Sequence, residues 1–128
     1  DLYNPDWPIR TYHDQVPPTK VVRGPSGSDG TVISSLVADG CIISGGRVEH
    51  SILSPSVVVS DRAEVNDSIL MDRVRVGAGS RVRKAILDKG VSIPDGVDMD
   101  TMKGRFPVTE KGVVVVPKGT PGEVFLGR

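Results

Sequence analysis

Aliphatic residues recur along the middle of this chain in columns that neither a helix nor a lone strand produces. Laid out from Ser35, Ser51, Ser68 and Ala85, each segment opens on a small residue and two aliphatics. These are Ser35-Leu36-Val37, Ser51-Ile52-Leu53, Ser68-Ile69-Leu70 and Ala85-Ile86-Leu87, and their starts are almost evenly spaced. Further into each segment stand Cys41, Val57, Val74 and Val91, and two places beyond them Ile43, Val59, Val76 and Ile93. Val48, Val65 and Val82 make a further column. A fixed period of this kind marks a repeat architecture. A finer hexapeptide period runs inside each copy, with two full units and one shortened unit, as in Leu70–Arg75, Val76–Arg81 and Val82–Ile86.

Each unit opens on an aliphatic and carries a small or branched residue in fifth place. In the six-residue units that fifth residue and the next unit's first are two apart, so both point to one side of a short extended segment. Residues between them point out: Ile42, Val58, Arg75 and Ser92 on one face, Glu64 and Arg81 on another. Gly, Asp, Ser and Pro turn the corners. Three short faces close one coil of a triangular prism, and successive coils stack as parallel strands. No helical period persists and β-branched residues dominate, which disfavours a helix. A small antiparallel sandwich is the alternative, but it does not explain columns held in register across four copies.

A stack of coils needs a cap at each end. The pattern divides the chain into an extended arm over 1–31, a β-helix over 32–97, and a C-terminal strand and tail over 98–128. The arm is rich in Pro, Gly and Ser, and Val113-Val114-Val115-Val116 predicts one further strand covering an edge of the prism.

Composition narrows the function classes. With 128 residues there is room for one domain, and 16 basic against 16 acidic side chains leave no net charge. A nucleic-acid or membrane-surface module would carry a one-signed patch instead. No apolar run approaches the length of a membrane span, and Asp1-Leu2-Tyr3-Asn4-Pro5 is unlike a signal peptide. A single cysteine, Cys41, excludes an internal disulfide and fits a reducing cytoplasm. It stands in an inward column and reads as a small core residue.

Several stretches carry a resemblance beyond the scaffold. Trp7-Pro8-Ile9-Arg10-Thr11-Tyr12 and Pro17-Pro18-Thr19-Lys20 resemble the segment leaving the catalytic domain of bacterial ADP-glucose pyrophosphorylases (glucose-1-phosphate adenylyltransferases). Cys41-Ile42-Ile43-Ser44-Gly45 and Ser51-Ile52-Leu53-Ser54-Pro55 are similar to that family's first coils. Ala85-Ile86-Leu87-Asp88-Lys89 and Ile93-Pro94-Asp95-Gly96 are similar to its last, and Gly112 to Gly119 to its closing strand. The resemblance implies the left-handed form of the parallel β-helix, of about four coils. It also implies a cytoplasmic enzyme joining ATP and glucose 1-phosphate into ADP-glucose and pyrophosphate for glycogen synthesis. The chemistry would lie in a separate N-terminal domain of the same chain, using ATP and Mg²⁺. No cofactor is expected in this piece, no catalytic residue and no metal ligand. The expected partners are that catalytic domain, further copies in a homotetramer, and a phosphorylated effector; no nucleic acid and no membrane are expected.

By the same resemblance, Lys89 and Lys118 occupy basic positions that contact a phosphosugar effector. Phosphate recognition needs convergent cations, and lysine serves as a point charge. Lys89 also stacks over Asp72 in the repeat, so a plain surface ion pair is its competing role. Arg105, next to Phe106, is a third candidate for the anion site. Arg81 over Glu64 and Lys84 over Asp67 read as solvated rungs between coils, while Arg73, Arg75 and Arg83 have no acidic neighbour in the slot below. Gly77-Ala78-Gly79 is a corner turn and not a phosphate loop, since no helix follows. His13 and His50 are too few for a three-imidazole zinc site. His50 could serve a stand-alone hexapeptide acyltransferase as general base; a purely structural oligomerisation module is the third reading. Ile42 and Val58 predict a small outward apolar stripe.

Overall fold

The computed structural model describes residues 17–126, and these form a three-sided parallel β-helix. The first face stacks β1 (Lys20–Val22), β4 (Ile42–Ser44), β7 (Val58–Val59), β10 (Arg75–Val76) and β13 (Ser92–Ile93). The second stacks β2 (Thr31–Ile33), β5 (Arg47–Glu49), β8 (Glu64–Asn66) and β11 (Arg81–Arg83). The third stacks β3 (Leu36–Val37), β6 (Ile52–Leu53), β9 (Ile69–Leu70), β12 (Ala85–Leu87) and β14 (Val114–Val116). Every pairing between these strands is parallel, and the register is that of the repeat: Ile43 on Val59, Val48 on Val65, Leu53 on Leu70. Four coils are complete. In the fifth, the second side is reduced to Asp98, which bridges Arg81.

The expected columns are the core. Cys41, Val57, Val74 and Val91 are buried, as are Ile43, Val59, Val76 and Ile93, and Val48, Val65 and Val82. Small side chains suffice because each coil is filled by its own three corners and by the coils above and below. Where the initial small residue of a copy is serine, it has a second task. Ser51 Oγ accepts the Ser68 amide at 3.2 Å and donates to the Glu49 carbonyl at 2.8 Å; Ser68 Oγ repeats this with the Ala85 amide and the Asn66 carbonyl. Both hydroxyls are buried, and both are satisfied.

Each corner turns through a left-handed residue. Ser34, His50, Asp67 and Lys84 have φ of 49°, 48°, 50° and 45°, one per coil between the second and third faces. Gly40, Ser56, Arg73 and Gly90 do the same at the next corner, and Gly45, Arg62, Gly79 and Gly96 at the last. Side chains in this region cost on the order of 1 kcal/mol each. The stack tolerates them because its backbone hydrogen bonds fix the turn from both sides: the Lys84 amide donates to the Asn66 carbonyl and the Arg73 amide to the Pro55 carbonyl.

The stacked strands extend beyond the 32–97 core at both ends. β1 pairs with β4 through Lys20 on Ile42, a longer step along the chain than the next one, Ile42 on Val58. The excess is a loop over residues 23–30, which hides the first coil's period. Asp61 pins that loop, accepting from Ser26 Oγ at 2.9 Å and from the Ser26 amide at 3.2 Å. Gly24 fits there because a Cβ would lie 2.8 Å from the Ser44 carbonyl oxygen as well as 2.2 Å from Asp61 Oδ1. At the other end the chain leaves the coil for a 3-10 helix, Met99–Arg105, before β14 pairs with β12. A second 3-10 turn, Gly122–Leu126, lays buried Phe125 against Phe106 with ring centroids 5.4 Å apart. With Met99 and Met102 these rings close the last coil. No helix among the described residues is long and apolar enough to cross a membrane.

Candidate functional site

Lys89 and Lys118 are brought into adjacent coils. β12 and β14 pair with Leu87 on Val116, and the Asp88 amide donates to the Val116 carbonyl at 3.1 Å. Just past that pair, each strand ends in the same corner turn, Asp88-Lys89-Gly90 against Pro117-Lys118-Gly119. Gly90 and Gly119 take φ of 73° and 81°, so the two turns are conformational copies. The lysines are therefore successive members of one column, set apart by the roughly 4.8 Å spacing of stacked strands. Sequence separation gives no hint of this, because the rest of a coil and a 3-10 excursion lie between them.

Asp72 occupies the same column one coil below, and Gly90 donates its amide to the Asp72 carbonyl at 2.9 Å. The competing ion pair does not form: among the described residues neither lysine lies within 4.0 Å of a carboxylate. Both lysines are exposed. Like charges directly opposite in a sheet repel, and a bound anion would relieve that repulsion.

Arg105 is used differently. At the end of the Met99–Arg105 helix, its Nη1 donates to the Val124 carbonyl at 2.6 Å and so fastens the C-terminal turn. No described contact joins it to the lysine pair. Of the expected rungs, Arg81 reaches Glu64 at 3.6 Å, while Lys84 stacks over Asp67 without an ion pair. Arg83, which lacks an acidic neighbour below, finds Asp100 at 3.8 Å in the helix above.

The other candidates resolve into structure. Gly77-Ala78-Gly79 is a corner: the Ala78 amide donates to Asp95 Oδ1 at 2.8 Å, and a Cβ on Gly77 would lie 2.5 Å from the Asp95 nitrogen. Cys41 is fully buried, with Sγ 3.2 Å from the Ser54 carbonyl, and burial pushes its thiol pKa up. His50 is exposed on a left-handed corner beside an open groove of 470 Å³, among Asp67, Lys84 and Arg83. The coils on either side of it follow each other at the ordinary period of the repeat, Leu36 on Ile52 on Ile69, which leaves no inserted loop to fold over a substrate. His13 and the Trp7–Tyr12 segment lie outside the described residues.

A family model described as "GlmU-like, C-terminal hexapeptide" matches residues 17–116, the span of the stacked strands. The chain belongs to this family. Curated relatives add a more specific likeness. A glucose-1-phosphate adenylyltransferase of Arthrobacter sp. (strain FB24) is 46% identical over 93% of this chain, and one of Frankia casuarinae 48% over the same share. One of Nitrosococcus oceani is 41% identical over 98%. The match occupies only 27%, 30% and 30% of those proteins. This hexapeptide domain thus spans less than a third of the curated relatives it matches, and corresponds to their C-terminal part.

Proposed function

We propose that the chain is the regulatory and assembly domain of a cytoplasmic glucose-1-phosphate adenylyltransferase. The parent makes ADP-glucose and pyrophosphate from ATP and glucose 1-phosphate, and its Mg²⁺ and nucleotide sites belong to the N-terminal catalytic domain. This domain makes no product alone, contributes contacts to a homotetramer, and binds a phosphorylated effector. One observation carries the regulatory reading: Lys89 and Lys118 share a column in adjacent coils, with no acidic partner among the described residues. A phosphate dianion placed across that column gains a cation from each coil, and the catalytic domain supplies the rest of the site. Arg105 contributes by holding the cap beside which Lys118 emerges, rather than by touching the anion.

Replacing Lys89 by Ala in the full-length protein should raise the half-saturating concentration of a sugar-phosphate activator. Loss of one charge-assisted hydrogen bond costs about 1.5–3 kcal/mol, or roughly ten- to hundred-fold in affinity. Substrate affinity should change far less. Asp72→Ala is the control, because it leaves both lysine charges in place and should leave activation unaltered. An unchanged activation curve for Lys89→Ala ends the effector assignment. Detectable ADP-glucose from the 128-residue chain alone would end the division of labour.

A further inference from the structure

The outward slots of the third face hold an aliphatic column, Leu36, Ile52, Ile69, Ile86 and Val115. The corner where that face meets the second is polar in every coil. Its left-handed slot holds Ser34, His50, Asp67 and Lys84, whereas glycine fills that slot in at least two coils at each of the other corners. A side chain is strained in this region and glycine is not. This corner alone keeps its side chains in all four coils, and retained strain of that kind clusters at ligand sites. Beside it runs the 470 Å³ groove. Two ladders line the groove, with rungs about 4.8 Å apart. Glu49, Asn66 and Arg83 come from the ends of the second-face strands, and His50, Asp67 and Lys84 from the corner. Asp100 closes the upper end.

The rungs differ in chemistry. Cations stand on the upper one and acceptors on the middle one. On the lower rung Glu49 is already engaged, since Arg47 Nε donates to its Oε1 at 2.7 Å. Arg83 has Asp100 at 3.8 Å, too far for a hydrogen bond. Lys84 and Asp67, one rung apart, form no ion pair among the described residues. Two unsaturated cations therefore face two acceptors, the Asp67 carboxylate and the Asn66 amide. A bare anion meets Asp67 and Asp100 as well as the cations, and a dianion is repelled twice as strongly as a monoanion. A neutral polyol leaves the cations without an acceptor. A carboxylate with neighbouring hydroxyls satisfies both rungs. Arg83 forks onto the carboxylate and Lys84 adds a point charge, while the hydroxyls donate to Asp67 and Asn66. We infer that this groove binds a small polyhydroxylated carboxylate, a sugar acid. The site is separate from Lys89 and Lys118, which lie past the other end of strands β12 and β14. It does not depend on the adenylyltransferase reading.

The test is calorimetric titration of the full-length protein with gluconate, and with acetate, inorganic phosphate and sorbitol as partial mimics. Gluconate should bind saturably, and each mimic at least about tenfold more weakly. Lys84→Gly should weaken gluconate at least about tenfold and at the same time raise the melting temperature, because glycine relieves the left-handed slot. Arg83→Gln, which leaves the corner backbone alone, should show the same loss of binding. Asp67→Gly should weaken gluconate but not acetate, since only the hydroxyls use that carboxylate. Lys89→Ala, at the other corner, should leave gluconate binding unchanged. The inference is overturned by the absence of saturable gluconate binding below about 10 mM, or by phosphate binding as tightly as gluconate. It is equally overturned if Lys84→Gly binds gluconate like the unmodified protein, or if Lys89→Ala loses as much as Lys84→Gly.

Discussion

The two ends of the prism are built from the same repeat and finished in opposite ways. At the last coil Val91, Ile93, Val114 and Val116 are almost wholly buried, because Met99, Met102, Phe106 and Phe125 lie over them. At the first coil Val21, Val32 and Val37 occupy the same inward slots and stay partly exposed. A solenoid is stable only where each coil finds an apolar neighbour. Among the described residues, this domain carries a cap at one end and leaves the other partly open.

The sharpest way to break that comparison is to place a carboxylate in an interior and in a terminal inward slot. Val74→Asp sets a charge between Val57 and Val91 with no partner and should cost roughly 3–5 kcal/mol. Val21→Asp leaves its carboxylate in reach of water and should cost about 1 kcal/mol or less. Urea unfolding of both variants reads the difference; similar midpoints would mean that the first coil is not open.

A smaller effect is expected at the cap. Phe125→Ala removes a buried ring and its contact with Phe106, and should lower stability by about 3 kcal/mol. Leu36→Ala, on the exposed column, should change the isolated domain by under about 0.5 kcal/mol. Thermal denaturation decides, and a large loss from Leu36→Ala would show that the column is already covered within this chain.

The smallest effect concerns the charged face. Arg81 and Glu64 are partly exposed and 3.6 Å apart, so the double-mutant cycle of Arg81→Ala and Glu64→Ala should give a coupling of about 0–1 kcal/mol. The coupling should fade as salt is raised. A value above about 2 kcal/mol would make the second face a structural element equal to the core.

Much of this was legible in the chain. The columns at Cys41, Ile43 and Val48 and their successors predict three faces and their register, because a side chain two places along a strand returns to the same side. The four-valine segment predicts the added strand, found over Val114–Val116. The first coil was not legible over Lys20–Val22, since the Asp61-pinned loop breaks its period. The outward column of the third face was equally hidden. Ile42 and Val58 are in register on the first face, but the longer stripe is Leu36-Ile52-Ile69-Ile86-Val115, made of residues that the repeat pattern alone reads only as members of each aliphatic pair.

The sequence by itself determined the period, and with it the number of faces, the inward columns and the parallel stacking. These follow from local geometry: an alternating side-chain direction and turn residues at fixed intervals leave one way to bury every aliphatic. The tertiary structure decided what meets across the stack. It set Lys89 beside Lys118 across a 3-10 excursion, drew Arg83 to Asp100, and gave Arg105 to the Val124 carbonyl. Among the described residues it also closed one end and left the other partly open. Those outcomes depend on how long, non-repeating segments return to the prism, and no local pattern encodes the point of return.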